Sequence, residues 1–144
     1  MKISIRENDN TQEIEVIIRC NKINDQVNEL LSLLTIHDKK LTGEKDGKTY
    51  LLSVDDILYI ESVDKKTFAY TKTDAFELGL RLYELESRLP RDFFRASKAS
   101  IINISKIKSI TPDFNGRLAI ALVSGEKLIV SRQYAQNLKS KLEL

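Results

Sequence analysis

The side chains in this sequence that are best suited to binding chemistry are its lysines and arginines, which gather towards the end of the chain. Residues 88–144 contain 11 Lys and Arg but only 4 Asp and Glu, whereas residues 1–40 contain 6 and 7, and residues 41–87 contain 6 and 10. A basic end on a chain of net charge +2 is typical of an anion-binding surface, with nucleic acid the commonest partner. The charge pattern alone fits a solvated lysine-rich surface equally well.

The sequence contains few residues of the types that catalysis or metal binding requires. His37 is the only histidine, and no acid–base or nucleophilic partner accompanies it. The single cysteine, Cys20, follows an apolar stretch, so we interpret it as a buried structural thiol. A zinc site would have to rely mostly on carboxylates, which is unusual. The sequence therefore predicts no enzyme, no metal, no cofactor and no small-molecule substrate.

Two short patterns imitate catalytic motifs. Residues 43–49 resemble a phosphate-binding P-loop but have three residues between the glycines instead of four, and a strand is predicted after them. Without a helix N-terminus such a loop lacks its phosphate donors, so we predict a hairpin turn. Asp55 and Asp56 are neighbours, and neighbours on an extended chain point apart, which favours a turn or a helix cap over paired carboxylates.

The first forty residues are predicted to form a strand and then a helix. Residues 13–20 alternate and then become continuously apolar, as in a strand, and Asn21 or Asn24 is suited to cap the helix that follows. Apolar residues recur over 23–36 with the spacing of one helix face: Ile23, Val27, Leu30, Leu31 and Leu34. One strand and one helix cannot bury this stripe, so it must pack on the rest of the chain or on a second copy.

Beyond the first helix the pattern changes to the period of two that is typical of strands. Residues 38–49 are polar and contain two glycines, which indicates a linker or a hairpin. Turn-forming pairs such as Asn115-Gly116 and Ser124-Gly125 separate several of the later runs. Two helices are predicted, one from Leu82 to Leu89 that Pro90 ends and one at the C-terminus. Seven short β-rich runs are predicted, at 50–54, 57–63, 67–71, 100–104, 107–110, 117–123 and 127–131.

Chain length and hydropathy place the protein in a broad class. With 144 residues the chain can bury one core and carry a short appendage. No apolar run approaches the roughly 18 residues that span a bilayer, and the first residues do not resemble a signal peptide. One cysteine fits a reducing compartment. We therefore expect a soluble, cytoplasmic protein.

Four stretches carry a resemblance to a known family. They read VDDILYIES at 54–62, LYELESRLP at 82–90, FFRASKASIINI at 93–104 followed by IKSI at 107–110, and VSRQYA at 130–135. In order and spacing they resemble the LytTR DNA-binding domains of bacterial transcription regulators. The resemblance implies a mainly β (α+β) fold, an elongated stack of small antiparallel sheets with short helices, preceded here by the strand–helix extension. We expect the extension at 1–40 and the DNA-binding domain at 41–144.

The resemblance also implies how such a domain binds double-stranded DNA. Loops from one edge enter successive major grooves, and the sheet edges track phosphates. The first loop follows Ser62 and corresponds to residues 64–67, where Lys65, Lys66 and Thr67 are the candidate contacts.

The second and third loops lie in the basic part of the chain. The family often has a histidine where Ser97 stands, and many members have a second arginine where Gln133 stands, so the preferred DNA sequence is expected to differ. Gln133 suits the N6 and N7 of adenine, and Arg132 suits a guanine or a phosphate. The candidate contacts are Arg95, Ser97, Lys98 and Ser100 in the second loop, and Arg132 and Gln133 in the third.

Many family members carry a receiver domain before this module, whereas residues 1–40 are too few for one. The chain therefore resembles the stand-alone regulators. We predict that the strand–helix extension is a dimerisation or docking element, either for a homodimer that reads half-sites about one helical turn apart or for a membrane-protein or other regulatory partner.

Three functions follow from these patterns. The leading one is a sequence-specific regulator of transcription that binds double-stranded DNA at promoter sites. The alternative is a protein-interaction adaptor whose LytTR-like domain has lost its affinity for DNA. An RNA-binding module is the third, and a preference for single-stranded RNA would identify it.

Overall fold

A computed structural model describes residues 1–10, 13–37 and 40–144, with only the backbone described for residues 35–37. Short 3-10 turns occur at Val54–Asp56, Ile104–Lys106 and Phe114–Gly116. None of the helices in these ranges is long and apolar enough to cross a membrane. The elements are α1 (Asp25–His37), β1 (Lys40–Lys45), β2 (Lys48–Ser53), β3 (Tyr59–Val63), β4 (Lys66–Tyr70), β5 (Ala75–Leu78), α2 (Leu82–Arg88), β6 (Phe93–Ser97), β7 (Ser100–Asn103), β8 (Ile107–Pro112), β9 (Leu118–Leu122), β10 (Lys127–Val130) and α3 (Arg132–Lys141).

The strands form two antiparallel sheets. A seven-stranded sheet has the order β2-β1-β5-β4-β3-β7-β6, and a three-stranded sheet has the order β10-β9-β8. The prediction of a mainly β fold with small antiparallel sheets and short helices is confirmed. All seven predicted β-rich runs overlap a strand, and both later helices form.

Strands β3 and β7 lie between two apolar clusters and are buried on both faces. Ile60 and Ile101 enter the first cluster, with α2, whereas their chain neighbours Tyr59 and Ile102 enter the second, with α3 and the small sheet. Successive side chains of a strand point to opposite faces. This double burial explains why the sequence is continuously apolar here instead of alternating. The centre of the large sheet is therefore a rigid base for the loops at its ends.

Three strands, β1, β5 and β6, were not predicted from the sequence. Strand β1 is largely polar and β5 has four residues, so neither carries a clear period of two. The β1–β2 hairpin turns at Asp46 and Gly47, both with positive φ, which confirms the predicted hairpin at the P-loop-like stretch. Gly43 is required in β1, because an added Cβ would lie 2.7 Å from Phe76 Cβ.

The N-terminal residues depart most from the prediction. Residues 13–20 form no strand within the described part of the chain, because nothing pairs with them there, and Cys20 is exposed instead of buried. The helix is confirmed, and Asn24 caps it by accepting a hydrogen bond from the Val27 N–H at 3.0 Å. Helix α1 buries Ser32 on the side of β1 and β5, and Leu33 packs against the first cluster.

The predicted apolar stripe of α1 remains largely uncovered. Ile23, Leu31 and Leu34 are exposed, while Val27 and Leu30 are half-buried. The face of α1 that packs on the sheet therefore overlaps the predicted stripe only at Val27 and Leu30 and extends to Ser32 and Leu33. The boundary at residue 40 stays a prediction, since residues 38 and 39 lie outside the described residues, as does the side chain of His37.

Candidate nucleic-acid interface

All three predicted loops lie at the same end of the molecule. Strands β3 and β7 are antiparallel, so the end of β3 lies beside the start of β7, and the turns at 64–65 and 98–99 share one edge. The Ser62 N–H donates to the Ala99 carbonyl oxygen at 2.8 Å, joining the first loop to the second. The Ser131 N–H donates to the Ala96 carbonyl oxygen at 2.9 Å, joining the third loop to the second.

The first loop is a tight two-residue turn between β3 and β4. Asp64 and Lys65 both have positive φ, 51° and 67°, as in the type I′ turns that match strand twist. Lys65 and Lys66 are exposed, and the Lys66 ammonium lies 3.8 Å from Glu77. Thr67 is only 6% exposed, because it starts the inward-facing row of β4. Its side chain therefore supports the loop from inside instead of presenting a surface to DNA.

The second loop is held in shape by its own side chains. Ser97 Oγ lies 2.8 Å from Ser100 Oγ and accepts a hydrogen bond from the Ala99 N–H at 3.1 Å. The pairing of β6 with β7 shifts register between Arg95 and Ser97, as at a β-bulge, which re-aims the end of the strand. Ser97 and Ser100 thus use their hydroxyls within the loop, and Lys98 stands exposed at its tip.

Arg95 points its guanidinium back into the second loop. Its Nε donates to the Ser97 carbonyl oxygen at 2.7 Å, and Nη2 donates to the Lys98 carbonyl oxygen at 2.7 Å. Nη1 pairs with Glu86 of α2 at 2.9 Å. With its side chain 16% exposed, Arg95 fixes the loop that carries Lys98. A rigid fork of donors is well suited to this task.

The third loop leads into the N-terminus of α3. Ser131 precedes the helix, and its carbonyl oxygen accepts the Tyr134 and Ala135 N–H groups. The first N–H groups of a helix are unpaired and carry a partial positive charge, which favours a phosphate. Arg132 and Gln133 are exposed in this first turn. The third loop therefore combines a cation, an amide and a helix terminus at one place.

Exposed and unpaired cations are distributed one to each loop. Lys66, Arg95 and Arg117 all pair with carboxylates. Among the described residues, by contrast, Lys65, Lys98 and Arg132 have side chains without an ion pair or hydrogen bond. The shared edge thus presents three cations whose charge is not neutralised locally.

The turn between β8 and β9 also belongs to this edge and was not predicted as part of the site. Arg132 packs over Gly116, where an added Cβ would lie 2.9 Å from Arg132 Cγ. Phe114 beside it is 78% exposed. The pair Asn115-Gly116 had signalled a hairpin turn, and both residues do have positive φ. Its proximity to the third loop required the tertiary structure.

Two stacked tyrosines lie on neighbouring strands of the large sheet, at the end opposite to the three loops. The rings of Tyr59 and Tyr70 are 4.4 Å apart and nearly parallel. Burial, and then a hydrogen bond with Glu126, raises the pKa of Tyr59. Burial also raises the pKa of Tyr70, with the charge of Glu61 adding to it. Both rings pack in the second apolar cluster, together with residues of the small sheet.

Comparison with known proteins identifies the family and the fold. Residues 47–143 match the family described as LytTr DNA-binding domain. A protein of Staphylococcus aureus strain NCTC 8325, named as an uncharacterized HTH-type transcriptional regulator, is 32% identical over 146 aligned positions, covering 100% of this chain and 99% of its own length. A counterpart in strain RF122 is 31% identical with the same coverage. A solved LytTr DNA-binding domain from Bacillus cereus has a TM-score of 0.71 at 27% identity, covering 74% of this chain and 98% of that one.

Proposed function

Because the chain belongs to the LytTR family of DNA-binding domains, we propose that it is a transcription regulator that binds specific sequences in double-stranded DNA. The observation that carries this proposal is the single edge at which Lys65, Lys98 and Arg132 stand exposed and unpaired, one on each of three hydrogen-bonded loops. Such an edge can place one cation in each of several neighbouring positions along a duplex.

The role proposed for each side chain follows from the contacts that it makes within the protein. Lys98, Arg132 and Gln133 are the base-reading or phosphate-binding groups, since nothing in the described residues occupies their side chains. Lys65 and Lys66 are phosphate contacts. Ser97, Ser100 and Arg95 act through loop geometry, because their polar atoms are bonded within the loop. Phosphate contacts fix register, whereas base contacts specify sequence.

The relatives are named for a helix-turn-helix, which the proposed binding mode does not use. In the described ranges each helix is followed by a strand or ends the chain, so no two helices are consecutive. We propose instead that loops enter successive major grooves, which are wide enough for such elements. We also propose that the protein acts in the cytoplasm, at promoter sites, without enzymatic activity, and as a homodimer through residues 1–40.

The test is a double charge reversal on the proposed edge. Lys98→Glu with Arg132→Glu should abolish binding to the best duplex recovered from a random DNA pool. The matched control is Lys127→Glu with Lys139→Glu, which changes the net charge equally at the start of β10 and late in α3, away from the loops. Binding that survives the first change would reject this interface and favour an adaptor. Equal losses in both variants would mean that the protein responds to overall charge alone.

Single substitution at Lys98 measures its share of the specificity. If Lys98 contacts a base, Lys98→Ala should cost about 1–3 kcal/mol and relax the preference at one position of the site. Competition titrations against single-position variants of the duplex would measure this. If the base preference stayed unchanged at every position of the site, Lys98 would not contact a base directly.

A further inference from the structure

We propose that residues 13–19 form an antiparallel pair with the same residues of a second copy, with Val16 opposite Val16 across a two-fold axis. This rests on the proposed homodimer and specifies which backbone forms it and in what register. The second copy is the occupant because the segment is complementary to itself.

The segment is exposed to a degree that is unusual for its composition. Every described residue from 1 to 26 is exposed. Ile14 is 96% exposed, Val16 58% and Ile17 67%. No strand pairs with this backbone in the described residues, although β-branched residues dominate it and favour a sheet. The sequence predicts a strand here, and the missing partner explains why the chain by itself does not make one.

The chain exposes more area than a compact monomer of its mass. A compact monomer of 16.5 kDa is expected to expose about 7,600 Å². This chain exposes 10834 Å². The excess of about 3,000 Å² is more than the roughly 800 Å² that each partner buries in a standard interface. Self-association through the exposed N-terminal residues would bury part of this excess.

The charges of the segment are the basis for the proposed register. Centring the pair on Val16 places Glu13 of each copy opposite Arg19 of the other copy. Two pairs of opposite charge therefore form in each dimer. Directly opposed side chains contact each other in antiparallel pairs, so this arrangement is favourable. The opposed residues are Glu13 with Arg19, Ile14 with Ile18, Glu15 with Ile17, and Val16 with itself.

The neighbouring registers differ in the charges that they place opposite each other. Centring on Glu15 would place two carboxylates opposite each other. Centring on Ile17 would pair residues 14–20 and place Glu15 opposite Arg19, but it would leave Glu13 outside the pair without an opposed cation. A centre on Val16 uses only residues 13–19 and gathers six β-branched side chains on one face, Ile14, Val16 and Ile18 from each copy. The exposed stripe of α1 supplies apolar surface for that face to cover.

Disulfide trapping tests the register directly. In a Cys20→Ser background, Val16→Cys places two cysteines opposite each other at about 4.5–5.5 Å between Cα atoms, within disulfide range. In the same background, Ile17→Cys places its two cysteines about 8 Å apart, which is too far to bridge. Mild oxidation should therefore link copies through Val16→Cys at least tenfold faster. Equal rates, or faster linkage through Ile17→Cys, would overturn the register.

Sedimentation separates this proposal from DNA binding. Ile14→Asp with Ile18→Asp should weaken self-association about a hundredfold or more, because four carboxylates enter the apolar face. Both positions are exposed, so the monomer should keep its fold by circular dichroism. Leu51→Asp, another exposed apolar position, is the matched control and should leave the dimer intact. A stable monomer of the unchanged chain at micromolar concentration would refute the proposal.

DNA binding by the same variants keeps the two proposals distinct. Ile14→Asp with Ile18→Asp should retain affinity for one half-site and lose at least tenfold for paired half-sites. If the folded monomeric variant lost half-site binding, the hypothesis that dimerisation and DNA binding use different surfaces would be rejected. Failure of the unchanged chain to bind any duplex, with the dimer intact, would reject the proposed function alone.

Discussion

The second loop and the segment 13–19 both carry groups available for binding. Hydrogen bonds within the chain hold the loop in place, whereas the segment has no such bonds among the described residues. In the loop, the guanidinium of Arg95 occupies two carbonyl oxygens and Ser97 caps the Ala99 N–H. In the segment, neither the backbone nor Ile14 has a partner in the described residues. The loop keeps one geometry before any ligand arrives, whereas the segment needs a second chain to acquire one.

This difference matches two kinds of ligand. A duplex presents phosphates and bases at fixed positions, so a loop that is already rigid loses little entropy on binding. In the proposed dimer, an identical chain supplies the hydrogen bonds and apolar contacts that the segment lacks. We expect changes in the loop to alter DNA affinity, and changes in the segment to alter assembly.

The largest expected difference is in the free energy of unfolding, between a substitution in the core and a substitution in the exposed segment. Leu85 is completely buried in the first cluster, so Leu85→Ala should lower the free energy of unfolding by about 2–5 kcal/mol. Ile14→Ala should leave it within about 0.5 kcal/mol in a sample dilute enough to be monomeric. Urea unfolding followed by circular dichroism measures both. A comparable loss at Ile14 would mean that the segment packs within its own chain.

Removal of the Arg95 side chain should have the next largest effect. Arg95→Ala loses hydrogen bonds from a charged group, each worth about 1.5–3 kcal/mol, and should release the loop tip. DNA affinity should fall, and exchange of the Lys98 and Ala99 amide hydrogens should accelerate. Because the guanidinium acts inside the loop, the salt dependence of binding should stay unchanged.

The matched control for Arg95→Ala is Arg88→Ala. Arg88 pairs with Glu84 within α2 at 3.6 Å, and among the described residues it has no hydrogen bond or ion pair with the three loops. It should leave both DNA affinity and amide exchange unchanged. A decrease of the salt slope in Arg95→Ala, without faster exchange, would show that Arg95 contacts phosphate instead.

The smallest expected effect concerns Lys66 in the first loop. As a phosphate contact, Lys66→Ala should weaken binding to all sequences alike and reduce the slope of log affinity against log salt by about 0.9. Its exposed pair with Glu77 is worth about 0–1 kcal/mol, so stability should hardly change. Affinities measured at several salt concentrations would show this. A change restricted to one DNA sequence would instead make Lys66 a base contact.

Local chemistry in the sequence was enough to predict most elements of the fold. Asp46-Gly47 and Asn115-Gly116 adopt positive φ, and Asn24 caps α1, because these features depend on residues next to each other. The runs that became β3 and β7 were recognisable from their apolar, β-branched residues. Strand β1 was missed because its polar sequence becomes a strand only by pairing between β2 and β5.

The sequence by itself determined which loops carry the basic charge and that residues 13–20 have the composition of a strand. Only the tertiary structure decided that Thr67 faces inward, that Arg95 forms hydrogen bonds within its own loop, and that the turn at Asn115 and Gly116 lies beside Arg132. It also decided that α1 leaves its apolar stripe exposed. The physical reason is that turns and caps depend on adjacent residues, whereas burial and side-chain partners depend on residues far apart in the chain.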